Sequence, residues 1–273
     1  MALSDISLTA GMRNNLLALT STTKNINQTQ QRLSTGKQVN TPLDNPTNYF
    51  AAQNAIARAN DLSTRKDGMS EAVQMLNAAT AGIKGITSLI QSAQGVAASA
   101  LGTSDTVERS AYSATYSTLL SQISQLASDS GYKGTNFLTN GSQTVEFGQR
   151  TGAATLAVLG FNSTSTGLTL NSITSAAWSG VAGITSSAGE LESALSTLRT
   201  KSNALSANLG VVTTRQDFTD TMISTLQTGA DNLTLADMNQ EGANMLMLQT
   251  RQNLGISSLS MASQAAQAVL KLF

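Results

Sequence analysis

Residues 191–233 read LESALSTLRTKSNALSANLGVVTTRQDFTDTMISTLQTGADNL, and their spacing decides the fold. Leu191, Leu195, Leu198, Ser202, Leu205, Leu209, Val212, Gln216, Thr219, Ile223, Leu226, Ala230 and Leu233 recur at alternating steps of four and three without a slip. Such a seam marks a helix that packs lengthwise against other helices. At 1.5 Å per residue it would run for about 65 Å, far beyond an ordinary globular helix.

Moving outward, both ends of the chain carry the same period. Met12, Leu16, Leu19, Thr23, Ile26, Gln30 and Leu33 form a seam near the start, and Gly36-Lys37 stops a helix of about residues 5–35. At the other end Met238, Met245, Leu248, Leu259, Ala262, Ala266, Val269 and Phe273 share one stripe, with Glu241, Gln252 and Gly255 at its remaining positions. Thr234 or Asp237 is the expected cap of this terminal helix. A helix with an apolar seam cannot bury it alone, so each end needs a partner: the other end or another molecule.

Between the ends lie two more helices and a change of pattern. The only two prolines stand in Thr41-Pro42-Leu43-Asp44-Asn45-Pro46, where Asn45 reads as a cap and Pro46 as the first helical residue. Leu62, Met69, Val73, Leu76, Thr80, Ile83, Thr87 and Ile90 are the seam of that second helix, which extends to about residue 100. Ser104 or Asp105 caps a third, with Tyr112, Tyr116, Leu119, Ile123 and Leu126 on its face and a stop near Gly131. From Gly131 to Gly189 glycines recur among Ser and Thr without helical period. Within that stretch Thr144–Phe147 and Thr155–Leu159 read as strands of a hairpin. The expected fold is therefore mainly α: a long antiparallel helical rod or coiled coil whose N- and C-terminal helices pair, with a small central β-hairpin insert at about 131–189.

Composition removes most other classes. The 273 residues carry no net charge and no basic stripe, which argues against nucleic acid. Histidine and cysteine are both absent, so there is no disulfide, no thiolate, no Ser–His or Cys–His pair and no His- or Cys-based metal site. No segment approaches the roughly 20 apolar residues of a membrane span, and MALSDISLTAGMRNN lacks the form of a secretory signal peptide. Asp44, Asp61, Asp67 and Glu71 are the densest carboxylates, yet Arg58, Arg65 and Lys66 stand among them, which reads as solvated ion pairing. Ser34-Thr35-Gly36-Lys37 is not a phosphate loop, because Gln38 stands where Ser or Thr is required. Tyr112, Tyr116 and Trp178 read as packing aromatics before sugar-binding ones.

Three stretches resemble one family. Residues 31–40, QRLSTGKQVN, followed by Asp44 and Asn45, look like the N-terminal signature of bacterial flagellin. The end of the chain, LADMNQEGANMLMLQTRQNLGISSLSMASQAAQAVLKLF, resembles its C-terminal signature, and Tyr132–Leu138 (YKGTNFL) is similar to the segment before its hairpin. The resemblance implies a structural, non-enzymatic subunit of the extracellular flagellar filament, without cofactor, catalytic residue, metal, nucleic acid or membrane insertion. Residues 1–40 with 234–273 would form the inner-tube coiled coil. Residues 41–233 would form an outer tube of long helices and hairpin, a minimal type without large outer domains, as in alphaproteobacteria.

The same resemblance supplies partners and roles. Other copies of the chain would form the polymer, and the export apparatus, a chaperone, the filament cap and hook-associated proteins would handle the unfolded, exported subunit. The polymerisation seams would be Met12, Leu16, Leu19, Ile26, Leu33, Met245, Leu248, Leu259, Val269 and Phe273. Arg32, Gly36, Asn40 and Asp44 would form the inter-domain joint, stiffened by Pro42 and Pro46. Ser92, Gln94 and Gly95 replace charged positions of the segment seen by the vertebrate flagellin receptor, which implies weak recognition. The Ser/Thr-rich stretch from Ser163 to Ser187 is a candidate for O-glycosylation. Two alternatives share features of this reading: a hook–filament junction protein, with the same terminal helices, and a cytoplasmic signalling coiled coil, which leaves the β insert unexplained.

Overall fold

The structure, a computed structural model, describes residues 10–148, 154–171, 173 and 176–270, and the side chains of all of these except Val269 and Leu270. Its elements in chain order are α1 (Ala10–Thr35), α2 (Pro46–Gly102), α3 (Thr106–Asp129), β1 (Ser142–Glu146), β2 (Thr155–Leu159), α4 (Val181–Thr234) and α5 (Met238–Leu270). The chain divides into two compact units, Met1–Ala57 with Thr225–Phe273, and Arg58–Ser224. The fold is mainly α with one antiparallel hairpin, as the sequence leads one to expect.

Short-range chemistry sets the helix ends. Gly36 at φ 69 takes the left-handed conformation that closes α1. The Asn45 side chain accepts the Asn48 amide at 3.1 Å, with Pro46 opening α2 behind it. Of the two candidate caps for α3, Asp105 is the one used, accepting the Val107 amide at 2.8 Å. For α5 it is Asp237, which accepts the amides of Asn239 and Gln240, while the Thr234 hydroxyl donates back to Ala230 O within α4.

In the first unit, α1 and α5 run antiparallel. Asn15 Nδ2 donates to Ser258 Oγ at 3.4 Å, Leu19 packs against Gly255, and Arg32 reaches Glu241 at 3.0 Å. The inward face of α1 is Met12, Thr22 and Thr29, with Asn15, Leu19, Ile26, Arg32 and Leu33 half-buried. This differs from the sequence expectation by one step in every heptad: Leu16, Thr23 and Gln30 lie off the face, and Asn15, Thr22 and Thr29 replace them. A threonine suits a buried helical position when its hydroxyl is satisfied at home, and Thr22 Oγ1 donates to Ala18 O at 2.8 Å. Met238 likewise lies off the α5 seam and is exposed.

In the second unit, α2, α3, the hairpin and α4 share one core. Leu76, Ile86, Ile90, Tyr116, Ile123, Trp178, Leu191 and Leu198 are fully enclosed in it. Gly82 allows a close approach, since a Cβ there would stand 2.2 Å from Ser130 Oγ and 2.6 Å from Leu138 Cδ1. Gln216 Nε2 donates to Ser70 Oγ at 2.9 Å and Lys66 pairs with Asp220 at 2.6 Å, which fixes α4 antiparallel to α2. The hairpin pairs Ser142 with Leu159 through Glu146 with Thr155, turning Val145 and Val158 inward. Helix α4 starts at Val181, inside the stretch assigned to the insert from its glycines. Gly183 is there for packing, because a Cβ would meet Ala177 O at 1.9 Å.

The segment between α3 and β1 has its own logic. Asn136 Nδ2 donates to Ala127 O and Ser128 O, two carbonyls that the end of α3 leaves without helical partners, and Asn136 Oδ1 accepts the Leu138 amide. One asparagine thus caps the helix and holds the turn. That is a physical reason for the Asn in YKGTNFL.

Candidate polymerisation surface

Paired α1 and α5 satisfy one seam each and leave another apolar face open. On α5, Met245 and Leu259 are half-buried and Leu248 is buried, with Glu241, Gln252, Gly255, Ala262 and Ala266 continuing that inward side. Turned away from it is a second stripe at heptad spacing, Met247, Leu254 and Met261, flanked by Leu246 and Ile256, all exposed. Helix α1 contributes Leu16 and Leu17, the latter 69% exposed. A lone soluble chain rarely shows so many large apolar side chains on one pair of helices. Val269's side chain and Phe273 lie outside the described residues.

Sequence periodicity found the inward stripe and missed the outward one on α5. The signal was present as the seven-residue repeat of Met247, Leu254 and Met261. The inward period, with more positions along the helix, masks it.

Where α1 ends, the turn that follows meets the turn between α4 and α5. Gln38 N and Val39 N both donate to Thr234 O, Ala236 N donates to Gly36 O at 2.9 Å, and Lys37 bridges Leu235. Asn40 Nδ2 donates to Lys37 O. Asp44 Oδ2 then accepts the amides of Asn40 and Thr41 and the Thr41 hydroxyl at 2.9–3.1 Å. These donors, led by the Thr41 amide and aided by the charge of Arg32, hold the Asp44 carboxyl below its ordinary pKa. Gly36, Asn40 and Asp44 therefore belong to one hydrogen-bonded corner, and Arg32, whose own bond goes to Glu241, reaches it through its charge on Asp44.

Elsewhere some of the charged groups pair. Arg65 binds Glu146, Lys133 binds Glu71, and the Glu71 carboxylate holds the Lys133 ammonium above its ordinary pKa. Tyr116 and Trp178 pack at 5.0 Å between ring centroids with no exposed surface, and Trp178 Nε1 donates to Ser187 Oγ. They are core, not a binding platform. Ser92, Gln94 and Gly95 sit along α2, where the Ser92 hydroxyl is returned to Ser88 O and Gly95 O accepts Ser99 Oγ. Arg109 is a buried residue that sequence reasoning passed over: Nε donates to Ala100 O and Thr103 O and Nη1 to Ser179 O, tying three chain segments at one corner. Among the described residues no group of carboxylates could hold a metal, and no helix is long and apolar enough to cross a membrane.

Comparison with known proteins converges on one family. Residues 6–144 match the family described as the bacterial flagellin N-terminal helical region. The chain is 28% identical to Flagellin FljO of Caulobacter vibrioides over the whole length of both. It is 25% identical to a flagellin of Brucella melitensis over 94% of this chain and 95% of that one. A crystal structure of Bacillus cereus flagellin overlays on 56% of this chain and 88% of that one, with 15% identity and a TM-score of 0.49. By its family match, its full-length relatives and its helix–hairpin–helix order, this chain belongs to the bacterial flagellin family.

Proposed function

We propose that the chain is a polymerising subunit of an extracellular flagellar filament, acting structurally and not as an enzyme. The observation that carries this is the outward apolar face of α1 and α5, which is uncovered among the described residues and which other copies would bury at roughly 25 cal/mol per Å². Helices α1 and α5 would form the inner tube, with the polymerisation seams Met12, Leu16, Leu19, Ile26, Leu33, Met245, Leu248, Leu259, Val269 and Phe273 divided between pairing within a copy and packing between copies. The Arg32–Asp44 corner would serve as the joint to the outer tube. Family membership supports export through the flagellar apparatus with a chaperone, a cap at the growing tip and hook-associated proteins at the base. The uncharged Ser92–Gly95 stretch supports weak recognition by the vertebrate flagellin receptor. None of the relatives named above is a hook-junction protein.

Seeded growth tests the reading. Purified monomer added to short filament fragments should elongate them without limit under the electron microscope. Growth that stops at a short collar would overturn it in favour of a junction protein.

A further inference from the structure

Two surfaces of the Arg58–Ser224 unit carry exposed apolar side chains beside charges that form no ion pair among the described residues. At one end Arg58, Leu62, Phe147, Arg215, Phe218 and Met222 line a groove of about 200 Å³. Its character is apolar with two cations: Arg215 lies over the Phe147 ring at 5.4 Å, and Phe218 is 55% exposed. Neither Arg58 nor Arg215 forms an ion pair among the described residues, whereas the nearby Glu146 and Asp220 are engaged by Arg65 and Lys66.

The other surface is the first turn of α3. Val107 stands 75% exposed between the carboxylates of Asp105 and Glu108. Neither carboxylate has an ion-pair partner among the described residues. Asp105 caps its own helix, Glu108 accepts the Thr103 hydroxyl, and the adjacent Arg109 is committed to backbone carbonyls. Those bonds to Ala100, Thr103 and Ser179 also make the corner rigid. It is a preformed knob with one apolar tip and two negative charges.

Register places knob and groove at opposite ends of the unit. Ser70 meets Gln216 and Lys66 meets Asp220 near the groove, while Arg109 binds Ala100 and Ser179 at the far end. Along α2 the stretch from residue 58 to 100 rises about 60 Å. The two surfaces cannot meet within one copy.

We propose that the Asp105–Val107–Glu108 knob of one copy seats in the Arg58–Phe147–Arg215 groove of the next. Val107 enters among Leu62, Phe147 and Phe218, and the two carboxylates face the two guanidinium groups. The contact is heterologous, so it repeats from copy to copy and generates an open array where a self-complementary patch would stop at a dimer. Opposite charges set orientation and encounter rate, and the buried valine adds apolar area. This inference rests on the filament reading and names one contact that reading requires.

Charge reversal tests it in seeded elongation followed by light scattering. Arg58→Glu and Glu108→Lys alone should each slow elongation at least tenfold, with monomer circular dichroism unchanged because both side chains are exposed. Mixing the two single variants should restore growth, since each supplies the surface that the other's altered surface accepts. Val107→Ser, which changes no charge and breaks no intramolecular contact, should slow growth as well. Singles that grow like the parent, or a mixture no faster than either single, would overturn the contact. A parent protein that fails to elongate seeds would overturn the filament reading itself, and the contact with it.

Discussion

Arg32 Nη1 lies 3.0 Å from Glu241 Oε1, joining α1 to α5 across 209 positions of sequence. The Glu241 side chain is only 8% exposed and Arg32 24%, so this carboxylate has left water and depends on its partner. Glu241 Oε2 and Arg32 Nε are both buried without hydrogen bonds, so the pair uses one contact of the two its geometry allows.

Removing one member should therefore cost more than removing both. Glu241→Ala strands the Arg32 charge and is expected to weaken the α1–α5 pairing by about 2–3 kcal/mol, below the full figure for a fully buried pair. Arg32→Met combined with Glu241→Leu keeps volume without charge and should recover most of that loss. Heat-induced depolymerisation of assembled filaments reads both. A Glu241→Ala filament that melts with the parent would show that the pair contributes nothing.

The outward stripe of α5 is separable from its inward one. Leu254→Asp places a charge at the centre of the exposed face without touching α1, so the monomer should keep its circular dichroism while elongation falls at least tenfold, the cost of burying an unpaired carboxylate against another copy. Leu254→Met should elongate normally. Leu248→Ala acts differently, opening a cavity between α1 and α5 and costing about 2–3 kcal/mol of the pairing. Normal growth of Leu254→Asp would mean that the face is not an interface.

How much of this was legible differs from place to place. Seams on α2, α3 and α4 were read correctly because apolar residues occupy them in step. On α1 the Met12, Leu19, Ile26 and Leu33 half of the seam holds and the other half shifts by one residue, since Leu16 is apolar and Asn15, Thr22 and Thr29 are not, yet burial follows what each side chain can satisfy locally. The hairpin was visible from its alternation and glycines. The start of α4 was not, because Gly183 and Gly189 look like loop, yet Gly183 packs against Ala177 and Gly189 lies exposed within the helix. Arg109 was missed for a similar reason: a lone arginine at a helix start reads as surface, and only the folded chain brings three carbonyls to it.

The corner around Asp44 should respond to acid. Its carboxyl titrates below its ordinary value of about 3.9 because it accepts three hydrogen bonds in the native turn. A lowered folded pKa contributes stability that is present above the unfolded value and lost as pH falls through the folded one, so the turn should loosen below about pH 4. Asp44→Asn keeps the shape but has no charge to lose. The protection factor of the Thr41 amide, its intrinsic exchange rate at each pH divided by the observed one, should fall on acidification in the parent and stay flat in the variant. Equal pH dependence in both would place the acid response elsewhere.

Tyr116 makes the opposite case at high pH. Burial, helped by the Glu190 carboxylate and opposed by the nearby Ser187 hydroxyl, pushes its phenol up to about 12, and no hydrogen bond of normal length and angle satisfies its buried oxygen. An unfolded chain releases this proton near pH 10 while the native one keeps it, so stability is complete below pH 10 and falls as pH rises from 10 to about 12. The size is about 2–3 kcal/mol over that window, from roughly two pKa steps at 1.36 kcal/mol each. Tyr116→Phe removes the group and should abolish this part of the alkaline loss. At neutral pH it should stay within about 1 kcal/mol of the parent, because the phenol makes no hydrogen bond of normal geometry that the change would break. Trp178, the only tryptophan and 5.0 Å from Tyr116, reports the unfolding by fluorescence. The informative quantity is the difference between the two urea midpoints as pH rises. If that difference does not change between pH 9 and 11.5, the phenol is not held in its protonated form by the fold.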